Sequence, residues 1–446
     1  MSKSNGTFWR ADHHTRSRGL YKVPDEGRPE IYLESPITDD PSVTKVTDSN
    51  GVVRTTYSMR ADKAVKSFAP VLIHGQLDSG QLVTLLSAQN HSVAPAPPRY
   101  EARAAIEGAH VSADQLYDAI RFQVADPYWT KHLALGDSAQ TEDGSTLRIE
   151  EGAEGNWIVY EAATRRNIRD LEQYVANACI TLMTLAFDFR PNVQQIEIKT
   201  DGSAWLSTAG PGYRGKIDGC DVPMLDPSEL TIEILARWID LNAKLDSLGA
   251  GVAEPPTGAI QAQALVATTL LEGIHRRLPF VQTRFPRLSN SVKKQIRSAA
   301  RSAAIGVASN VEGADVKAVD KAVTDCLSHF SATSYLNRAN DIVVEVGAAV
   351  PELILAVPSL PILLKEARND LAHHLAKTES IDDLVVLIDH WLIAAKATPW
   401  LLRFLLLLRA GIEPTVLRKR ALNHQRFEFV LANITRAADD LTSSTS

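Results

Sequence analysis

The apolar residues of this 446-residue chain change their spacing once, near residue 225, and that change limits the fold more than any other feature. Before it, short runs rich in β-branched and aromatic residues alternate with turn residues: GTFWR, RGLYKV, PEIYLES, IRFQVAD, STLRIEE and GNWIVYEA. Runs of this length and composition read as strands. LDSGQ and TDGSAW each join two apolar runs, as hairpin turns do. One segment interrupts: Ile168, Leu171, Val175, Ala178 and Leu182 fall on a helical stripe. From Ser228 onward nearly every segment has helical period, and Gly411 follows the leucine-rich run as a glycine just past a helix end does. The expected architecture is α+β multidomain, with a β-rich N-terminal domain over residues 1–220 and an all-α helical bundle over 225–440.

Composition narrows the classes. A net charge of -6 over this length excludes a general cationic coat for nucleic acid and leaves room for a local basic patch. Cys179, Cys220 and Cys326 are too scattered for a thiolate zinc cluster or a disulfide framework, so a reducing, cytoplasmic setting is expected. The opening MSKSNGTFWRADHHTRSRG has no apolar core and reads as no secretory leader. The apolar stretches 341–364 and 384–408 carry Glu345 and Glu352, and Asp389, His390, Lys396 and Arg403; both read as core helices rather than membrane spans.

Several motifs carry little. GPGYRG, from Gly210, matches G-x-G-x-x-G, but KIDGCDVP follows it instead of a helix, so it reads as a linking loop. Asp12, His13 and His14 are adjacent residues whose side chains alternate along an extended chain, a poor metal set. No metal site and no cofactor motif is expected. The basic residues Arg276, Arg277, Lys293, Lys294 and Arg297 could hold RNA phosphates; so could Arg418, Lys419, Arg420 and Arg426; each group also fits a solvated helix face.

The residues with the most chemistry lie in PILLKEARNDLAHHL, 361–375. Arg368, Asn369, His373 and His374 stand between apolar helical runs, where an unpaired arginine is costly. Arginine grips a phosphate with a planar fork, and histidine moves protons near neutral pH. The segment ARNDLAHHL resembles the R-N-x-x-x-H form of the R-x4-6-H signature of HEPN domains. GTFWR, VLIHGQLDSGQLVTLLSA and IRFQVADPYW are similar to ordered β elements of the ApeA-like branch of that family. The resemblance implies an all-α HEPN-like domain behind a β-rich sensor domain, with a phage-derived component as its trigger. It further implies a metal-independent RNA endonuclease of anti-phage defence, acting by abortive infection as a homodimer or higher oligomer on tRNA or other cellular RNA, with no membrane partner. Carried over residue by residue, Arg368 and His373 match the signature and Asn369 its polar position. His374 satisfies it at one longer spacing, and Glu272 in LLEGIHRRL corresponds to an acidic helix position.

The chemistry suits those residues. RNA supplies its own nucleophile, the 2′-OH, and cleavage to a 2′,3′-cyclic phosphate needs proton carriers and positive charge on the phosphorane. Positions five apart on a helix differ by about 140°, so Arg368 and His373 do not share one narrow face, and a twofold dimer would bring two motifs across one cleft. Two other readings stay open: a non-catalytic HEPN-like binding or sensor module, and a partner of a nucleotidyltransferase toxin, though no tyrosine follows the motif as that partner role would use.

Overall fold

A computed structural model describes residues 2–24, 27–37, 43–47, 53–57, 69–92, 97–153, 155–200, 202–210, 223–373 and 381–444. The chain divides into two compact units, Met1–Asp240 and Leu241–Ser446. The first is β-rich and the second helical among the described residues.

Six strands of the first unit close a barrel. They are β1 (Ser2–Arg10), β2 (Arg16–Val23), β3 (Glu30–Leu33), β6 (Val71–Leu77), β7 (Leu82–Asn90) and β8 (Arg99–Glu101). The ring runs β7-β6-β1-β2-β3-β8, and β8 returns to β7 through Gln89↔Glu101 and Asn90↔Tyr100. Closure leaves these strands without a free edge at that seam. Besides β6, β7 serves two neighbours along its other edge. Its first half pairs with β9 (Ala104–Glu107), from Val83↔Glu107 to Leu86↔Ala104, and its last two residues pair with β8. Between them Ser87 takes φ 51°, a left-handed bend that a non-glycine residue rarely adopts. From β9 the sheet continues through β15 (Leu206–Ala209), β14 (Val193–Lys199), β10 (Leu116–Val124), β13 (Trp157–Asn167), β12 (Thr146–Glu150) and β11 (Ser138–Gln140). A separate hairpin pairs β4 (Val43–Thr47) with β5 (Val53–Tyr57).

The LDSGQ turn joins β6 to β7, and Gly80 takes φ 85° there. Alternation on the barrel strands turns Phe8, Tyr21, Ile31, Ile73, Val83 and Leu85 into its core. The helical interruption forms α1 (Ile168–Leu171), a single π turn (Glu172–Ala176) and α2 (Asn177–Phe187), capped by the Asn167 side chain on the Asp170 N–H.

The boundary lies beyond the expected 220–225 break. The residues leading into α3 (Ile232–Lys244) belong with α2: Leu225 N–H donates to the Ala186 carbonyl, and the buried Trp238 indole donates to the Ala178 carbonyl at 2.6 Å. Helical period alone did not reveal that this helix begins inside the first unit. The GPGYRG loop after Gly210, with Cys220, falls outside the described residues.

The second unit contains α4 (Gly249–Ala253), α5 (Ile260–Arg277), α6 (Asn290–Ser309), α7 (Val316–Ser328), α8 (Tyr335–Ala349), α9 (Pro351–Ala356), α10 (Leu360–His373), α11 (Ile381–Ala410), α12 (Pro414–Leu422) and α13 (Gln425–Ser444). α11 is its axis, packed on α4, α5, α8, α10, α12 and α13. That explains its nearly all-round apolar sequence. Leu384–Ala410 is long and apolar enough to cross a bilayer by length and composition, but 78% of the apolar window is buried inside the protein. The other apolar stretch, 341–364, is broken into the end of α8, α9 and the start of α10. Gly411 takes φ 108° immediately after α11, as expected of a closing glycine. α6 and α7 pack on each other, and no residue of α7 is buried.

Gly75 on β6 tests the barrel packing. A Cβ there would lie 2.5 Å from the Phe8 ring and 2.8 Å from Val83. Gly75→Ala should therefore destabilise the first unit by roughly 1–3 kcal/mol. Urea unfolding of the full chain reads this; an unchanged midpoint would mean that Phe8 has another place to go.

Candidate functional site

Three helices of the second unit bring their polar residues together. α10 buries Leu360, Leu364, Ala367 and Leu371, spaced four, three and four apart, against its neighbours α5, α8 and α11. Arg368 follows Ala367 at the edge of that stripe. α5 ends at Arg277, just before Leu278 and Pro279, as a helix commonly does ahead of a proline. The loop after it is tied to the start of α8. Arg284 N–H donates to the Ser331 carbonyl, and Thr333 Oγ1 donates to the Val281 carbonyl at 3.0 Å. Ser334 then caps α8 by accepting from the Asn337 N–H. The last turn of α5 and the first turns of α8 are thereby fixed beside each other.

Glu272 is the hub. Arg368 Nη2 donates to its Oε2 at 3.0 Å, and Arg276 Nη2 donates to its Oε1 at 2.6 Å. Burial pushes the Glu272 carboxyl up, but the Arg276 hydrogen bond and the charges of Arg368, Arg276 and Arg338 outweigh it and lower its pKa. The Arg368 guanidinium also lies over the Tyr335 ring, 5.2 Å from its centroid. Burial holds the Tyr335 hydroxyl well above its ordinary pKa, and that hydroxyl has no hydrogen-bond partner among the described residues.

A second cluster, built round the buried His275 and Arg338, adjoins this one. Arg338 Nη1 donates to His275 Nδ1 at 3.0 Å and to Gln282 Oε1 at 2.8 Å. A guanidinium can only donate, so Nδ1 is a lone pair and the proton of the neutral imidazole sits on Nε2. That nitrogen faces Asp341 Oδ2 at 2.9 Å. Burial, helped by the Arg338 charge, pulls the His275 pKa below its ordinary value against the opposing pull of Asp341. The ring stacks on Phe280 with centroids 4.5 Å apart.

The sequence candidates separate. Arg368 and Glu272 are in contact, and Arg276 shares the carboxylate. Arg277 instead approaches Asp246 at 3.7 Å. Lys294 is exposed and Arg297 half-buried on α6, whereas Lys293 is buried and its ammonium donates to Thr283 Oγ1 at 3.0 Å, so it does not share their wet face. Asn369 is half-buried. His373 closes α10, with its side chain outside the described part, and His374 lies outside the described residues altogether. His390 of α11 approaches Asp370 at 3.6 Å and Glu366 at 3.9 Å. Glu366 and Asp370 each lie two residues from Arg368, about 200° round the helix. Asp12 pairs with Arg10 at 2.6 Å and His14 is exposed, which fits a solvated loop.

His275, Arg338, Tyr335 and Asp341 were not singled out from the sequence. A signal existed in Glu-x-x-His on α5 and Arg-x-x-Asp on α8, since residues three apart share a helix face. A second aromatic group sits on the barrel: the His74 and His110 rings stack at 4.5 Å, and Trp9 meets His110 edge-on at 5.2 Å. Among the described residues, no three or more His, Cys, Asp or Glu side chains are grouped as a metal site would require.

No protein-family model, no curated protein and no solved structure matches this chain.

His275 gives a pH test. The unfolded chain takes up a proton at the ordinary value of 6.5, and the folded chain only at a lower pH. Between those values the unfolded state binds more protons, so this group's contribution is full above 6.5 and is lost as pH falls through that window. His275→Gln, which can still accept from Arg338 and donate to Asp341, should remove that loss. The stability margin of wild type over the variant, measured by urea unfolding, should shrink by on the order of 1 kcal/mol from about pH 7.5 to about pH 5.5. A constant margin would contradict a neutral, buried His275.

Proposed function

We propose that the helical unit is a HEPN-type, metal-independent RNA endonuclease, and that its site combines Arg368 and His373 from two copies of the chain. The observation that carries this reading is the state of Arg368. Its guanidinium is fixed by Glu272 and Tyr335, yet its side chain is 39% exposed. One N–H goes to the carboxylate, and the guanidinium has five. The remaining donors can reach a phosphate without losing the anchor. Three guanidinium groups, of Arg368, Arg276 and Arg338, stand against the carboxylates of Glu272 and Asp341, which leaves the cluster net positive.

In this reading Arg368 holds the phosphorane oxygens and Asn369 donates to a phosphate oxygen or orients the histidine. His373 takes the 2′-OH proton or returns one to the leaving 5′ oxygen. Glu272 is a positioning residue. Leu384, Val385 and Ile388, at 40%, 50% and 40% exposure, form one apolar face at the start of α11, next in the chain to the motif. A twofold pairing through that face would set two motifs opposite each other and supply the second proton carrier. The β-rich unit would sense a phage-derived trigger, which fits an activity that harms the host when unrestrained.

One observation favours the alternative of a non-catalytic binding module: the Arg368–Glu272 pair is itself a closed ion pair of the kind that merely holds helices together. Kinetics separates the two. Cleavage of total cellular RNA should persist in EDTA and leave 2′,3′-cyclic phosphate ends. Arg368→Lys should cost roughly 10²–10³-fold in rate, because it keeps charge and loses the fork. His373→Ala should abolish cleavage while His374→Ala retains most of it, and all three variants should melt within a few degrees of wild type. Stable variants with unchanged rates would reduce Arg368 and His373 to structural residues. Strict dependence on Mg²⁺ would remove the nuclease mechanism.

A further inference from the structure

The helical unit contains a cavity of about 580 Å³ on the side of α5 away from the arginine cluster. Leu270 lines it, whereas Glu272, two residues on, points about 200° away. α4, α5, α11 and α13 contribute walls, and its volume lies within the roughly 300–1,000 Å³ of small-molecule sites. Most of the surface is carbon, from Val266, Leu270, Leu392, Pro399, Trp400 and Phe429. Phe429 is 69% exposed and Val266 38%, so the apolar lining runs out to the solvent at the mouth. Pro255 and Pro256 in the lining loop have fixed φ angles and Pro399 lies within α11, which favours a preformed shape. Gly251 lets α4 approach closely: a Cβ there would lie 3.2 Å from the Leu270 side chain.

The charge on this cavity has one sign. Lys396 and Arg426 line it, and no aspartate or glutamate does. Elsewhere in the unit Arg368, Arg409 and Arg418 each bond a glutamate. The half-buried Lys396 reaches only Gln263 Oε1, at 3.5 Å, and has no carboxylate partner among the described residues. A partly desolvated ammonium beside an apolar wall is unfavourable until an anion joins it.

We propose that this cavity binds a small amphipathic anion, with an apolar body against Leu270, Leu392, Trp400 and Phe429 and one negatively charged head at Lys396. The site is independent of the nuclease reading and would be present in a protein that cuts nothing.

Calorimetric titration of the full chain with decanoate tests it, with decanol and decyltrimethylammonium as neutral and cationic controls. Decanoate should bind saturably, about one per chain, at least tenfold more tightly than either control. Lys396→Met should remove that preference and leave decanol binding unchanged. Val266→Trp, at the mouth, should block decanoate and decanol together while the melting temperature holds. Equal affinity for decanoate and decanol, no saturable binding, or decanoate binding indifferent to both variants would overturn the proposal. So would sedimentation showing that this face pairs two copies of the chain, with Phe429→Ser yielding monomers that do not bind decanoate.

Discussion

A carboxylate that is only one-fifth exposed must find cations or give up its charge. Glu272 finds them on its own helix and on a distant one, through Arg276 and Arg368, and each oxygen takes one guanidinium. The consequence is geometric. α10 is set on α5 by its apolar stripe, and the Glu272 pair fixes the rotation at which Arg368 emerges. Tyr335 of α8 supplies the third wall. Ion pairs of this kind add little net stability, because desolvation offsets most of the attraction, but losing one partner leaves an uncompensated charge. Glu272 therefore determines where Arg368 points more than how stable the bundle is.

The two faces of α5 divide the work of the unit. One face, with Glu272, His275 and Arg276, meets α8 and α10 in a network of charge-assisted hydrogen bonds that leaves donors of Arg368 to spare. The opposite face, with Gln263, Val266 and Leu270, is largely carbon and borders the cavity whose ammonium has no carboxylate partner among the described residues. α11 touches both regions: His390 approaches Asp370 beneath α10, and Lys396 and Trp400 line the cavity. Occupation of the cavity would press on the same helix that carries the exposed apolar face of Leu384, Val385 and Ile388.

Much of the architecture was legible because it rests on local rules. The hairpin at LDSGQ, the stripe in 167–187 and the glycine closing α11 all follow from period and turn chemistry. Barrel closure was not legible, since it depends on one edge of β7 pairing first with β9 and then, past the bend at Ser87, with β8, which no local pattern shows. The place of Trp238 was not legible for a similar reason: it has a helical neighbourhood in sequence and packs on α2 of the first unit in space. At the site, Arg368 and Glu272 were both named from a motif, while their contact across 96 positions is a tertiary fact. His275 and Arg338 were passed over because a buried histidine and arginine look ordinary until their nitrogen pairing is known. Lys293 looked like its neighbours in sequence and differs from them in being buried and bonded to Thr283.

The central claim is that one site draws its arginine from one chain and its histidine from another. Mixing unfolded Arg368→Ala and His373→Ala chains and refolding them together yields dimers in which one of the two composite sites keeps both groups. Cleavage of RNA in EDTA should then return to a sizeable fraction of the wild-type rate, although each variant alone is inactive. If the refolded mixture contains mixed dimers and remains as inactive as its parents, the arginine and the histidine do not act across a twofold seam, and the account of the site is wrong.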